Sequence, residues 1–321
     1  MPMPMTPDRS VVAAVDCGTN TTRLLLAHVG DTGVRPVGRW TALTRLGAGV
    51  DASGQLSAAA IARVGDVLRG YADEWRDAGA TRVAVTATSA VRDTTDAAAF
   101  LAAVRDATGE DAVVLTGAQE AALTFAGATE GTRGRRVVCD IGGGSTELIA
   151  GDRSIDQWVS MQVGSVRLRE RHLHGDPPSA EEYASLVAGI DRVLVDQADA
   201  FAATGGDPLI AVAGTALTVA AVARGATDPD VDAVDGTTLS TADVAQVVEE
   251  LAWLPAAQRL TYPPVVPGRE DVIVAGALLL SRLLTRFGFD AVEVRVADLL
   301  DGVARRVAGD TWPPTAGDDT T

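Results

Sequence analysis

Short apolar runs alternate with amphipathic segments along the first 130 residues. The apolar runs predict five strands, at Val11–Asp16, Thr22–Val29, Val34–Thr41, Arg82–Thr86 and Val113–Leu115. Pro36 favours an edge position for the third of these strands. Apolar residues at helical spacing predict one helix that Ser57 opens and two more at Ala97–Ala107 and about Ala118–Ala126. Strands that alternate with helices are typical of an α/β layer fold.

The pattern restarts after a polar, Gly-rich segment at 130–134, where we place a domain boundary. Strands are then predicted at Arg136–Asp140, Thr146–Gly151, Ile155–Gln162, Leu209–Ala213 and Ala291–Val296. Helices are predicted at Ser165–His172, Ser179–Ala203, after Thr215, from a Thr241 cap to Leu251, at Arg269–Phe287 and at Asp298–Val307. For a chain of 321 residues we therefore expect an N-terminal domain at 1–130, a C-terminal domain at 131–309 and a disordered tail at 310–321.

The start of the second half repeats the start of the first. Asp140 follows Asp16 by the same 124 positions by which Ser145 follows Thr21 (140 − 16 and 145 − 21). Within this register Gly also falls on Gly and Leu on Leu. A duplicated unit dictates the architecture, so the repeat predicts two halves built on one plan.

The repeated unit has the composition of a phosphate-binding hairpin. Its Asp ends an apolar strand, at the edge of the sheet where α/β proteins place ligands. Gly and small polar residues then allow a tight turn whose N–H groups and hydroxyls can bind an anion. An ordinary β-turn is the alternative for either copy alone, but the match in register favours paired loops. The predicted phosphate-binding residues are Gly18, Thr19, Asn20 and Thr21 in the first loop, and Gly142, Gly143, Gly144 and Ser145 in the second.

The two copies differ on the strand that leaves each loop. Alternate residues of a strand share a face, so Arg23 in the first copy corresponds to Glu147 in the second. We expect Arg23 to contact phosphate, and Asp140, Glu147 and Asp16 to bind a divalent cation. The alternative for Arg23 and Glu147 is that each is an ordinary solvated strand residue.

Charge and composition narrow the classes of partner. The formal net charge is −16, so a phosphate-rich substrate must be attracted by a local basic patch or a metal, and we expect no nucleic-acid partner. The chain has no Lys, so every fixed cation is Arg and neither loop is a P-loop.

The cysteines and the hydrophobic pattern indicate the compartment. Cys17 and Cys139 make no disulfide framework and are expected to be buried. No segment has the pattern of a signal peptide or a membrane span, so we expect a cytoplasmic protein with no membrane partner.

Seven segments, taken in order, resemble the exopolyphosphatase and guanosine-pentaphosphate phosphohydrolase (Ppx/GppA) family. The most specific is VCDIGGGSTEL at Val138–Leu148. The shorter ones are convincing mainly through their order along the chain. They are Asp16–Thr21, Ala87–Asp93, Thr116–Ala121, Gly164–Leu168, Val212–Ala216 and Arg269–Gly276.

The resemblance implies a fold and a set of roles. The fold is the duplicated actin-like, sugar-kinase-like (ribonuclease H-like) α/β architecture with an interdomain cleft. Glu120 corresponds to the carboxylate that deprotonates the attacking water, and Asp140 and Glu147 correspond to residues implicated in binding Mg²⁺ (or Mn²⁺). Arg92 is the best candidate for a fixed phosphate cation, and Gly214 and Thr215 are expected to bind phosphate as well. Water attack on a terminal phosphoryl group needs such a base, a metal and donors on the equatorial oxygens.

The leading hypothesis is therefore a Mg²⁺-dependent hydrolase of inorganic polyphosphate. Short chains are favoured because long members of the family carry further C-terminal helical domains. One alternative substrate is guanosine pentaphosphate. Two other classes remain open: an ATP-dependent small-molecule kinase of the same superfamily, and an alarmone sensor that binds phosphates without cleaving them. A homodimer stays an open alternative to a monomer.

Overall fold

The computed structural model describes residues 11–198, 201, 206–230 and 232–314. In the first half the strands are β1 (Val11–Cys17), β2 (Thr21–Gly30), β3 (Gly33–Leu43), β4 (Arg82–Ala87) and β5 (Ala112–Val114). The helices of this half are α1 (Val50–Ser53), α2 (Ala58–Asp77), α3 (Ser89–Arg92), α4 (Ala98–Thr108) and α5 (Gly117–Ala128). The predicted strands and long helices of this half are thus confirmed.

The second half follows the same plan. Its strands are β6 (Arg136–Ile141), β7 (Thr146–Gly151), β8 (Ile155–Met161), β9 (Leu209–Val212), β10 (Thr237–Ser240) and β11 (Ala291–Val294). Its helices are α6 (Ser165–His172), α7 (Ala180–Ala198), α8 (Ala213–Ala223), α9 (Thr241–Ala252), α10 (Ala256–Arg259), α11 (Ile273–Phe287) and α12 (Leu299–Ala308). None of the helices in the described ranges is long and apolar enough to cross a membrane.

The two sheets confirm the internal repeat. The first has the order β3-β2-β1-β4-β5 and the second the order β10-β11-β9-β6-β7-β8, so β3 is an edge strand, as Pro36 predicts. In each sheet the loop joins two antiparallel strands, and the first of these runs parallel to β4 or β9. Asp16 pairs with Arg23, and Asp140 pairs with Glu147. The two loops therefore occupy equivalent positions.

The last helix returns to the first sheet. Val303 and Ala304 of α12 are fully buried in one apolar cluster with Val12 of β1 and Leu25 of β2. Helix α5 packs the other way, since Phe125 lies in a cluster with residues of the second sheet. Helix α12 therefore packs outside the half in which the sequence places it, and the division at residue 130 stays a prediction.

The two crossing helices approach closely because of two glycines. A Cβ on Gly127 of α5 would overlap the carbonyl oxygen of Asp298, and a Cβ on Gly302 of α12 would overlap that of Leu123. Any side chain at either position would push the helices apart. This crossing fixes α12 against the helix that carries Glu120.

Some predicted boundaries were wrong. Ser240, not Thr241, caps α9: its hydroxyl accepts a hydrogen bond from Asp243 N at 3.1 Å. Helix α11 begins at Ile273 and not at Arg269, because 269–272 form turns. The four-residue strand β10 and the short helices α1, α3 and α10 are too brief to carry a periodic pattern. The predicted helix end at Ala203 and the tail residues 315–321 lie outside the described residues.

Candidate functional site

The two loops meet at one cleft of about 90 Å³ between the sheets. Strands β1 and β6 end there, and the start of α5 and the β9–α8 junction complete its wall. The predicted site residues that line it are Asp16, Gly18, Thr19, Asn20, Thr21, Arg23, Glu120, Asp140, Gly142, Gly143, Gly144, Ser145, Gly214 and Thr215. Arg92 and Glu147 lie behind this lining, where Arg92 contacts Glu120 and Glu147 pairs with Asp140.

Glycine is needed where the loops touch. A Cβ on Gly144 would lie 2.5 Å from Ser89 Oγ and 2.9 Å from Thr19 Oγ1. A Cβ on Gly164 would lie 2.5 Å from the carbonyl carbon of Gly143. All three separations are shorter than non-bonded atoms allow. Gly144 is thus explained by the close approach of Thr19 and Ser89, and Gly164 by that of Gly143.

The two loops have the same internal hydrogen bond. Gly18 N donates to Thr21 O at 2.9 Å, and Gly142 N donates to Ser145 O at 3.1 Å. This bond closes each hairpin over the intervening residues. The shared hydrogen bond supports the prediction that the two turns have the same role. That they bind phosphate stays a prediction.

Glu120 is held in the first turn of α5. Thr116 caps this helix, because its hydroxyl accepts a hydrogen bond from Gln119 N at 3.2 Å. The Glu120 residue is only 7% exposed, and burial raises the pKa of its carboxyl to about 7. Arg92 Nη1 donates to Glu120 Oε2 at 2.8 Å and opposes that rise. The carboxyl is therefore poised to change protonation near neutral pH.

Three further carboxyl groups make the cleft acidic. Burial, reinforced by the charge of Asp298, raises the pKa of Asp140 to about 8. Burial also raises the pKa of Asp16 and holds the pKa of Glu147 well above its usual range. Ser160 Oγ lies 2.7 Å from Glu147 Oε1 and donates a hydrogen bond to it. Crowded carboxyl groups of this kind favour a bound cation or a bound proton.

Arg23 is already engaged by two carboxylates. Its Nη2 lies 3.0 Å from Asp16 Oδ2, and its Nη1 forms an ion pair with Asp298 Oδ2. Asp298 caps α12, so the last helix of the chain reaches the first loop. Phosphate contact by Arg23 stays a prediction, and it would have to compete with these two partners.

Arg269 is a cleft residue that the sequence analysis missed. Its guanidinium lies over Gly214, where any Cβ would overlap it. Among the described residues, no ion pair involves Arg269. Burial, with help from the charge of Arg23, lowers its pKa to about 10, so the side chain stays cationic at neutral pH. Its place at the start of the Arg269–Gly276 segment was the available signal.

The carboxylates are compatible with a divalent cation but form no closed site for one. No group of three or more His, Cys, Asp or Glu residues in the described ranges could hold a metal ion. However, Asp16 Oδ1 is buried and has no hydrogen-bond partner. Mg²⁺ commonly binds through one or two carboxylates, with waters and substrate phosphates as the other ligands. The donors present fit that mode, and the set Asp16, Asp140 and Glu147 stays a prediction.

The chain is similar to known phosphatases along most of its length. The model of the Ppx/GppA phosphatase family matches residues 25–307. The chain belongs to the Ppx/GppA phosphatase family. It is 38% identical over 314 residues to exopolyphosphatase 2 of Mycobacterium tuberculosis, with 93% of this chain and 98% of that protein covered. The prediction that it is an enzyme of this family is confirmed.

Other relatives widen the comparison. A guanosine-5'-triphosphate,3'-diphosphate pyrophosphatase of Vibrio atlanticus is 30% identical over 216 residues, which cover 66% of this chain and 44% of that protein. The crystal structure of an exopolyphosphatase from Cytophaga hutchinsonii superposes with a TM-score of 0.85 at 25% identity, covering 94% of this chain and 98% of that one. An Aquifex aeolicus family member gives a TM-score of 0.75 at 26% identity over 94% of this chain and 98% of that one. The predicted duplicated actin-like α/β fold is confirmed.

Proposed function

We propose that this chain releases the terminal phosphate of inorganic polyphosphate, with short chains favoured, by metal-assisted attack of water. The observation that carries the proposal is the buried Glu120 carboxyl in the same cleft as both loops. The match to 98% of the length of a mycobacterial exopolyphosphatase supports the choice of substrate. A base beside two anion-binding turns is the arrangement that phosphoryl transfer to water requires.

Glu120 would act as the general base. A base is most effective when its pKa lies near the working pH, and burial raises the pKa of Glu120 to about 7. Arg92 orients the carboxylate through Nη1, which leaves the other oxygen, Oε1, to accept a proton from water. Arg92 itself would then be a positioning residue, and its predicted contact with phosphate would use the buried Nη2, which has no partner in the described residues.

The terminal phosphate would sit between the loops. The N–H groups of Gly143 and Gly144 and the hydroxyls of Thr19 and Ser145 offer donors to its oxygens. Arg269 supplies a fixed positive charge at the same cleft. These donors would stabilise the negative charge that spreads over the equatorial oxygens during transfer.

Asp140 and Asp16 are the residues that would hold Mg²⁺ or Mn²⁺, with Glu147 beside them. The cation would offset the charge of the phosphate oxygens and of the leaving phosphate chain. Without it, burial raises the pKa values of Asp16, Asp140 and Glu147, and the charges of neighbouring carboxylates add to the rise.

Contacts between the two halves border the cleft. Arg167 of α6 pairs with Asp51 and Asp93 of the first half, and its Nε donates to the carbonyl oxygen of Gly144 in the second loop. Separation of these contacts would widen the space between the loops for a phosphate chain.

Guanosine pentaphosphate is the second candidate substrate. Similarity to the Vibrio atlanticus enzyme favours it, although the aligned part is only 44% of that protein. The two candidates share a terminal phosphoanhydride bond, so the same base and loops would serve both. A preference for one of the two substrates would depend on contacts outside the cleft.

One experiment separates these functions from a kinase and a sensor. Phosphate release would be measured with tripolyphosphate, long polyphosphate and guanosine pentaphosphate, each with Mg²⁺ and with EDTA. We expect the largest kcat/KM on tripolyphosphate and loss of activity in EDTA. Faster cleavage of guanosine pentaphosphate would favour the second candidate. Binding without release would indicate a sensor, and transfer from ATP to an acceptor without release to water would indicate a kinase.

A further inference from the structure

A second cavity lies away from the cleft and shares no lining residue with it. It has a volume of about 950 Å³, against about 90 Å³ for the cleft. Its walls are the C-terminal part of α5, the 129–134 segment, the β7–β8 turn and α12. We call it the arginine groove, after its four cationic residues Arg133, Arg153, Arg305 and Arg306.

The groove is cationic within an acidic protein. Four arginines face two carboxylates, Glu130 and Asp152, whereas the whole chain has a formal net charge of −16. Arg305 pairs with Glu130 at 3.0 Å. Arg133 and Arg153 are exposed, and neither takes part in an ion pair within the described residues. A cluster of positive charge within a protein of net negative charge requires a functional explanation.

The shape and chemistry of the groove suit a small phosphorylated ligand. A cavity of 300 to 1,000 Å³ is about the size that binds small molecules. Ala122 and Ala126 of α5 and Ile155 of β8 form the accessible apolar part of the lining, and the arginines stand around it. Guanidinium groups bind phosphate oxygens in pairs, through planar, charge-assisted hydrogen bonds. Asp152 would repel such an anion, but one carboxylate does not offset two arginines that have no ion-pair partner.

We propose that the arginine groove binds a small anion that carries two or more phosphates, independently of the catalytic cleft. Arg153 reaches it from the β7–β8 turn of the second sheet, and Arg305 from α12, which packs on the first sheet. The bound anion therefore bridges elements of both halves. It also lies along α5, whose first turn holds Glu120.

Calorimetric titration of the full chain tests this proposal. The Glu120→Gln protein is titrated with tripolyphosphate and, separately, with ATP, so that no turnover interferes. In that background Arg133→Ala/Arg153→Ala removes the two unpaired groove cations. Arg69→Ala/Arg76→Ala is the matched control, because both are exposed arginines on α2 and the net charge changes equally.

We expect a binding event that weakens at least about tenfold in the groove variant and by less than about twofold in the control. If ATP binds more tightly than tripolyphosphate, the apolar lining contributes to the affinity. If the two bind equally, the groove recognises the phosphates alone. Equal titrations of the parent and the groove variant, or no binding of either probe at about 1 mM, would overturn the proposal. An unchanged thermal midpoint shows that the exposed substitutions leave the fold intact. The binding event in the groove is identified by its weakening in the Arg133→Ala/Arg153→Ala variant. The proposal would therefore stand even if the chain did not hydrolyse polyphosphate.

Discussion

Arg92 Nη1 donates a hydrogen bond to Oε2 of Glu120 over 2.8 Å. The same nitrogen donates to the carbonyl oxygen of Leu115 at 3.0 Å, immediately before the capping residue of α5. The ion pair works against burial, which dominates the pKa of Glu120 and leaves it at about 7. Arg92 thus orients the candidate base and lowers its proton affinity against the effect of burial.

The first prediction concerns pH. Glu120 must be deprotonated to accept a proton, so kcat/KM should rise with pH through an apparent pKa near 7. Removal of the Arg92 charge leaves burial unopposed, so Arg92→Ala should move this limb upward by about one pH unit or more. Arg92→Lys keeps the charge and should move it less. If the apparent pKa of the kcat/KM profile falls or stays the same in Arg92→Ala, the Arg92–Glu120 ion pair does not lower the pKa of the base.

The second prediction concerns Gly214. A Cβ there would overlap the guanidinium of Arg269, the flexible end of a side chain, so the arginine should swing away while the backbone stays in place. Gly214→Ala should lower kcat/KM by about 10- to 100-fold, the equivalent of one charge-assisted hydrogen bond. Unfolding free energy should change little.

A double-mutant cycle checks the mechanism of that loss. In the Arg269→Ala background, Gly214→Ala should have almost no further effect on kcat/KM. Additive losses from the two substitutions would mean that Gly214 acts through something other than Arg269.

The third prediction concerns stability. Gly302→Ala places a methyl group against the carbonyl oxygen of Leu123, which is backbone and cannot move aside. We expect a loss of about 1–3 kcal/mol or more in unfolding free energy. Gly70→Ala in α2 is the control, since a Cβ there meets nothing within 4 Å, and it should stabilise by about 0.5–1 kcal/mol. Equal effects of the two substitutions in chemical denaturation would contradict the close crossing of α5 and α12.

Much of this site could be predicted from the sequence because the repeat is local. The offset between Asp16 and Asp140 fixes two hairpins, and a hairpin pairs each Asp with the residue seven positions later. Strand alternation then places Arg23 and Glu147 at equivalent positions. The order of the motifs supplied Glu120, which lies in the cleft beside the loops, and its role as the base stays a prediction.

The contacts that the sequence did not reveal join distant parts of the chain. Asp298 meets Arg23 across 275 positions, and nothing in the periodicity of α12 indicates that it packs on the first sheet. Arg269 ends up in the cleft because α11 starts four residues later than its pattern suggests. The sequence predicts Arg92 as a phosphate-binding cation, but its partner Glu120 could be identified only from the fold.

The most direct test of the account is the rate of phosphate release from tripolyphosphate by Glu120→Gln. Loss of the base should lower kcat by about 10²- to 10⁴-fold and leave substrate affinity within a few fold, because Gln keeps the size of the side chain. Glu110→Gln, at an exposed position outside the cleft, should match the native enzyme. A Glu120→Gln protein that keeps kcat within about tenfold of the native value would contradict the assignment of the base.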